Sequence, residues 1–163
     1  LIYMYRITVP TALNPARVAG DIRNMDRADM HGIEGSVRWV PWQGGSVMAS
    51  AARTIIESSN IDVDCSSSAP VHSVSLLFSQ RLFDGLSFSA AYYRLGPMTW
   101  LSGGEPLPAS ERLDLRLGKT YRWGRQRLGV DWVIQNATNE DSPEFDDLRH
   151  NRRISWLRFQ YEF

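Results

Sequence analysis

His31 and Glu34 stand three residues apart, a pairing of imidazole and carboxylate that could share a divalent metal if both projected to one side. In an extended strand, positions three apart point to opposite faces, and the residues around them read as strand, so no shared metal is expected. Asp141, Glu144, Asp146 and Asp147 gather four carboxylates in one stretch. An oxygen-ligated cation is the chemistry such a stretch offers; a solvated loop is the plainer account. His72 and His150 are isolated and read as solvated. Arg112, Asp114 and Arg116 alternate, and Arg127 precedes Asp131 on the same parity. These suggest ion pairs along one strand face, Asp114 with Arg112 and Arg116, and Asp131 with Arg127. No nucleophile–base–acid set, phosphate loop or zinc spacing occurs, so no catalytic, cofactor-binding or metal residue is nominated and no enzyme is expected.

The elements that must position these residues follow from composition and period. The 163 residues suffice for one domain; 43% hydrophobic against 22% charged residues argues against disorder. With 18 basic and 18 acidic residues the formal net charge is zero, so the chain lacks the positive field of a nucleic-acid or polybasic membrane-surface binder. Cys65 is the single cysteine and can form no internal disulfide. No apolar run approaches the ~18 residues of a transmembrane helix. The chain opens at Leu1, which suggests a mature product or a fragment of something longer.

Strand alternation dominates. Leu157, Phe159, Tyr161 and Phe163 share one parity, and Arg158, Gln160 and Glu162 the other. Leu128, Val130, Trp132 and Ile134 oppose Arg127, Gly129, Asp131 and Gln135; Leu113, Leu115 and Leu117 oppose Arg112, Asp114 and Arg116. Leu86, Phe88, Ala90 and Tyr92 oppose Ser87 and Ser89; Val74, Leu76 and Phe78 oppose Ser73, Ser75 and Ser79; Ile33, Val37 and Trp39 oppose Glu34, Ser36 and Arg38. Leu1 to Thr8 is nearly all apolar, and Gly45 to Glu57 is rich in small residues with ambiguous parity. About eight strands result, most near the ten residues that cross a bilayer at a tilt.

Connections alternate in length. Pro41–Gly44, Phe83–Gly85 and Trp123–Arg125 read as tight turns; Val9–Met30, Ser58–Ala69, Gly96–Ser110 and Thr138–Asn151 read as long loops. Short and long connections thus fall on opposite ends of one sheet, the asymmetry of outer-membrane barrels. Trp39, Trp42, Tyr121, Trp123, Tyr161 and Phe163 cluster near strand ends, where interfacial girdles sit. Lys119 is out of pattern on an apolar face, near enough to an end to snorkel. The fold expected is all-β: an antiparallel transmembrane β-barrel segment of about eight strands. Glu34, Arg38, Arg112, Asp114, Arg116, Arg127, Asp131 and Arg158 are expected to face the lumen, with Leu115, Val130, Leu157 and Phe159 outward.

Several of these segments resemble the C-terminal third of TonB-dependent outer-membrane receptors. His31-Gly32-Ile33-Glu34-Gly35-Ser36-Val37-Arg38-Trp39, after the polar approach Arg23-Asn24-Met25-Asp26-Arg27-Ala28, resembles that family's strand beginning Gly-hydrophobic-Glu. Arg112-Leu113-Asp114-Leu115-Arg116-Leu117 resembles the strand opening hydrophobic-Asp-hydrophobic-Arg. Val133-Ile134-Gln135-Asn136-Ala137-Thr138-Asn139 resembles the Asn-Leu-Thr-Asn element near the family's end, with Ala137 in place of Leu and Phe145 standing where a Tyr often follows. Asn136-Ala137-Thr138 also has the form of a glycosylation acceptor, which means little in a bacterial barrel. Phe163, behind Leu157, Phe159 and Tyr161, resembles the membrane-insertion signal read by the barrel-assembly machinery.

The resemblance implies a bacterial outer-membrane protein surrounded by lipid, taking up a scarce small molecule such as a ferric siderophore or cobalamin. It implies coupling to TonB through a plug domain that this chain lacks, and no cofactor or nucleic acid. The whole chain would be barrel wall and outside loops. Two alternatives stand beside it: a complete eight-stranded outer-membrane barrel with a structural or adhesive role, whose terminal strands would pair, and a soluble lipocalin-like binder, whose large apolar residues would face inward.

Overall fold

The computed structural model describes residues 2–11, 26–58, 66–99, 106–141, 143–145, 149–150 and 152–163. Eight long strands carry it: β1 (Ile2–Thr11), β2 (Asp26–Trp39), β3 (Gly45–Ser58), β4 (His72–Arg81), β5 (Leu86–Leu95), β8 (Ser110–Trp123), β9 (Gln126–Gln135) and β12 (Ile154–Glu162). They form one antiparallel sheet in the order β1-β2-β3-β4-β5-β8-β9-β12, each strand beside its neighbour in the chain of long strands. The short strands β6 (Met98–Thr99) and β7 (Pro106–Leu107), and β10 (Pro143–Phe145) and β11 (Arg149–His150), make two separate hairpins within connections read as loops from the sequence. The described residues contain no helix. The sheet is open: β1 pairs with β2 and β12 with β9, and neither edge pairs with the other.

The long strands run 9 to 14 residues, against a usual ~5–6 in globular proteins. Where the strands alternate, as β4, β5, β8 and β9 do, a one-residue slip would exchange the two faces, so alternation holds the register. Three tight turns join them. At Phe83–Leu86, Asp84 and Gly85 both take positive φ, 48° and 71°, and the Leu86 amide donates to the Phe83 carbonyl at 2.9 Å. That is the type I′ geometry that suits the twist of a hairpin and favours Asp-Gly.

Two boundaries differ from the sequence reading. The first hairpin continues to Thr11 and resumes at Asp26, so Val9–Thr11 and Asp26–Met30 are strand rather than connection. Alternation fades where both faces are polar or both apolar, yet the backbone goes on pairing. Pro10 lies in β1, at an edge of the sheet, the place where a missing N–H is tolerated. Leu1, Arg23–Met25, Cys65, Asp146 and Asp147 lie outside the described residues.

Candidate membrane-facing surface and polar wall

Register sorts the side chains into two faces. On the first, Phe88, Leu117, Trp132 and Leu157 stand in one row across four strands. Leu115 shares this face with Ile134, and Val130 with Phe159. No described residue packs over it: a dozen large apolar side chains, from Ile33 and Val37 to Leu157 and Phe159, are between 42% and 66% exposed. The only buried hydrophobic residue among those described is Ala28, on the other face. The chain exposes 12311 Å², against roughly 8,200 Å² for a compact monomer of its mass. At ~1.5–3 kcal/mol per fully buried apolar side chain, half-exposure of the dozen forgoes roughly 10–20 kcal/mol. That matches the entire ~5–15 kcal/mol stability of an ordinary domain, so apolar cover for this face would be worth as much as a domain's whole stability.

Its two ends differ. At the tight-turn end stand Trp39, Tyr121, Trp123, Tyr161 and Phe163, with Trp42 and Phe83 in the adjoining turns. Indole N–H groups there find acceptors, Trp42 on Gln80 Oε1 at 2.5 Å and Trp123 on Gln126 Oε1. Lys119 leans over Tyr121, its Nζ 5.7 Å from the ring centroid. At the long-loop end the same face turns ionic: His31 Nε2 lies 3.8 Å from Glu57, Arg94 lies 3.2 Å from Glu111, and Arg53 stands opposite His72. This ionic rim was not anticipated, because the parity of Gly45–Glu57 was ambiguous; Met48 falls on the polar face there, and Ala49 and Ala51 are too small to mark the apolar one. Between the rims, the Trp132 N–H is satisfied within the sheet by Ser155 Oγ at 2.7 Å, on the same face.

The second face carries all eight residues nominated for it: Glu34, Arg38, Arg112, Asp114, Arg116, Arg127, Asp131 and Arg158. At its centre is Asp131, buried among these strands. One carboxylate oxygen accepts from Arg116 Nη2 at 2.6 Å, the other from Arg158 Nε at 2.9 Å and Nη2 at 2.5 Å. Three strands are thereby tied by charge-assisted bonds. Gly118 makes this possible: it sits directly opposite Asp131, and a Cβ there would collide with the Asp131 carboxylate and crowd Ser87 Oγ. The Nε of Arg116 is buried with no hydrogen-bond partner, an omission that costs about 1–3 kcal/mol.

The ion pairs differ from the sequence reading. Asp131 does not meet Arg127; Arg127 lies 3.7 Å from Glu162. Four residues along a strand span about 13 Å, whereas cross-strand neighbours are adjacent. Asp114 pairs with Arg112 at 3.2 Å but not with Arg116, which Asp131 takes. Arg112 also lies over the Tyr93 ring, at 4.9 Å. His31 and Glu34 fall on opposite faces, and the described residues contain no group of three or more His, Cys, Asp or Glu arranged to hold a metal. Of the acidic stretch, Asp141 is described and exposed; Asp146 and Asp147 are not among the described residues.

Serines line much of the remaining polar face. Ser46, Ser79 and Ser89 form one row with Arg116, and Ser46 and Ser79 hydrogen-bond at 2.8 Å, as Ser50 and Ser75 do at 2.7 Å. These short side chains leave a hollow of about 880 Å³ at the tight-turn end, flanked by Arg38, Arg81, Arg116 and Arg122. At the opposite end, Asn136 takes φ 50° and is buried. Its amide N–H donates to Asp114 at 3.0 Å, its side-chain nitrogen to the Glu140 carbonyl at 2.8 Å, and its side-chain oxygen accepts from the Glu140 amide at 3.0 Å. The Asn136-Ala137-Thr138-Asn139 element is therefore a side-chain-built turn, and Asn139 caps it by accepting from the Arg153 amide at 3.1 Å.

Compared with known protein families, curated proteins and solved structures, the chain matches none.

Proposed function

We propose that this chain is a wall segment of a bacterial outer-membrane β-barrel, of the kind found in the C-terminal part of TonB-dependent receptors. The observation that carries the reading is the uncovered apolar face of an eight-stranded antiparallel sheet, bounded by aromatics at one end and by charges at the other. Lipid completes that face, and each of the eight long strands is long enough to cross a bilayer at a tilt. The second face, with paired charges and serines, suits a wet lumen. Its small side chains leave space for a plug supplied by another part of the protein.

In this reading the wall shares in active uptake of a scarce small molecule, a ferric siderophore or cobalamin being the type of cargo the family resemblance implies. Long loops face outside and capture it; energy from TonB acts on the plug. Leu157, Phe159, Tyr161 and Phe163 act as the insertion signal for the assembly machinery. A complete eight-stranded barrel fits less well, since β1 and β12 do not pair. A lipocalin-like binder fits less well still, since the hollow lies on the polar face, among arginines and serines.

Fluorescence quenching tests the lipid assignment. Single-tryptophan variants retaining Trp132 or Trp156 would be refolded into bilayers with brominated acyl chains. Trp132 is expected to be quenched by the bromines, and Trp156, on the polar face, by aqueous iodide. The opposite pattern, or equal quenching of both, would reject a lipid-facing apolar band.

A further inference from the structure

The hollow on the polar face is more selective than a generic wet wall. Four arginines line it, and none of its lining residues is an Asp or Glu. Arg116 has Asp131 as its partner, but no ion pair or hydrogen bond joins the guanidinium of Arg38, Arg81 or Arg122 to another described residue; the Gln80 side chain bonds Arg81 only at its backbone carbonyl. The floor is equally specific in chemistry. Ser79 and Ser89 face each other across β4 and β5, in the same row as Arg116, and offer hydroxyls that can donate. Guanidinium forks with hydroxyl donors between them recognise oxyanions, the forks supplying bidentate bonds and charge. A volume of about 880 Å³ exceeds what one phosphate fills and falls in the range of small-molecule sites. Three like-charged arginines gathered without counter-ions, Arg38, Arg81 and Arg122, favour a multiply charged occupant, because a single anion would leave most of the repulsion in place.

We propose that the arginine-lined hollow at the tight-turn end of the polar face binds a small, multiply charged oxyanion, of polyphosphate or polycarboxylate type. This names the charge class of the cargo and rests on the transport reading.

The test uses the full chain refolded in detergent micelles, with pyrophosphate and citrate as probes in calorimetric titrations at constant ionic strength. Saturable binding of at least one probe is expected. The double variant Arg81→Gln/Arg122→Gln should weaken it at least about tenfold. Arg125→Gln, which removes a charge in a neighbouring turn that does not line the hollow, should change it less than about twofold. Arg38→Gln, on the far side of the hollow, gives an independent second loss. Both replaced arginines of the double variant are exposed, so its fold should survive, and circular dichroism would verify that.

Absence of saturable binding by a folded chain would overturn the proposal while leaving the membrane reading untouched. Equal losses for Arg125→Gln and the double variant would overturn it too, as bulk charge attraction. Tighter binding of a glutamate-rich peptide than of either probe would overturn the small-anion version in favour of an acidic protein segment. A chain that gains β-structure only in detergent-free buffer would count against both readings.

Discussion

The two faces of the sheet are built from the same strands, yet they are finished in different ways. On the polar face the side chains complete one another: Asp131 gathers Arg116 and Arg158, Arg127 meets Glu162, and serines bond in pairs across β3 and β4. On the apolar face few such bonds exist; Phe78 and Phe88 touch with centroids 6.3 Å apart, and most neighbours simply stand side by side. Specificity between partners is concentrated where water competes for polar groups, and the apolar face relies on its surroundings. A face with directional bonds carries its own organisation, whereas a face without them borrows stability from the medium it meets.

The largest expected effect breaks that contrast from the apolar side. Leu117→Arg places a charge at mid-strand on the uncovered face and should cost roughly 2–4 kcal/mol in bilayers, read from urea unfolding followed by tryptophan emission. A change below about 0.5 kcal/mol, typical of a water-facing surface site, would remove the difference in medium between the faces.

Asp131→Ala attacks the polar side by stripping two arginines of their shared acceptor. The expected loss is about 1–3 kcal/mol, held below the value for a fully buried pair because both arginines are partly solvated. Smaller again, Gly118→Ala should cost about 1–2 kcal/mol by crowding the Asp131 carboxylate. That loss should shrink in the Asp131→Ala background, so a double-mutant cycle showing simple additivity would deny that Gly118 serves the ion bridge. The least effect is expected for Trp132→Phe, about 0.5–1.5 kcal/mol from the lost bond to Ser155. It should be measured beside Ser155→Ala, which should lose a comparable amount by leaving the indole N–H unpaired.

Deletion of Phe163 separates recognition from stability. The side chain is almost fully exposed, 97%, and its ring lies 6.3 Å from that of Tyr161. Refolding yield in micelles should therefore hardly change, while, on the proposed outer-membrane reading, outer-membrane yield of the full-length protein in cells should fall. Equal loss in both assays would reduce Phe163 to an ordinary packing residue.

The sequence made the faces legible because alternation is a local property: Leu115 and Arg116 declare opposite sides without reference to any other strand. The turn at Asp84–Gly85 was legible for the same reason, since its residues carry the conformation themselves. The partner of Asp131 was not, because Arg116 and Arg158 are brought to it by the registers of β8 and β12 on β9, which no single segment encodes. Gly118 was silent on its own; its meaning appears only when Asp131 crosses it. The hairpins β6–β7 and β10–β11 are too short for any period to show. The arginine hollow was half visible: Arg38 and Arg116 were placed on the polar face, but Arg81 and Arg122 join them only through the sheet.

The ion bridge on Asp131 also acts as an error check on the edge strand. Among the described strands β12 is held by β9 alone; its residues alternate strictly only from Leu157 to Glu162, and a slip by one position would still satisfy the backbone ladder. Such a misthreaded strand would send Arg158 onto the apolar face and leave Asp131 facing Leu157 or Phe159. A slip by two would restore the faces but place Trp156 or Gln160 where the guanidinium belongs. Backbone bonding cannot distinguish these alignments, and face matching rejects only the first. The carboxylate rejects both, so a single buried charge supplies the proofreading that lets a strand with one neighbour settle into one alignment.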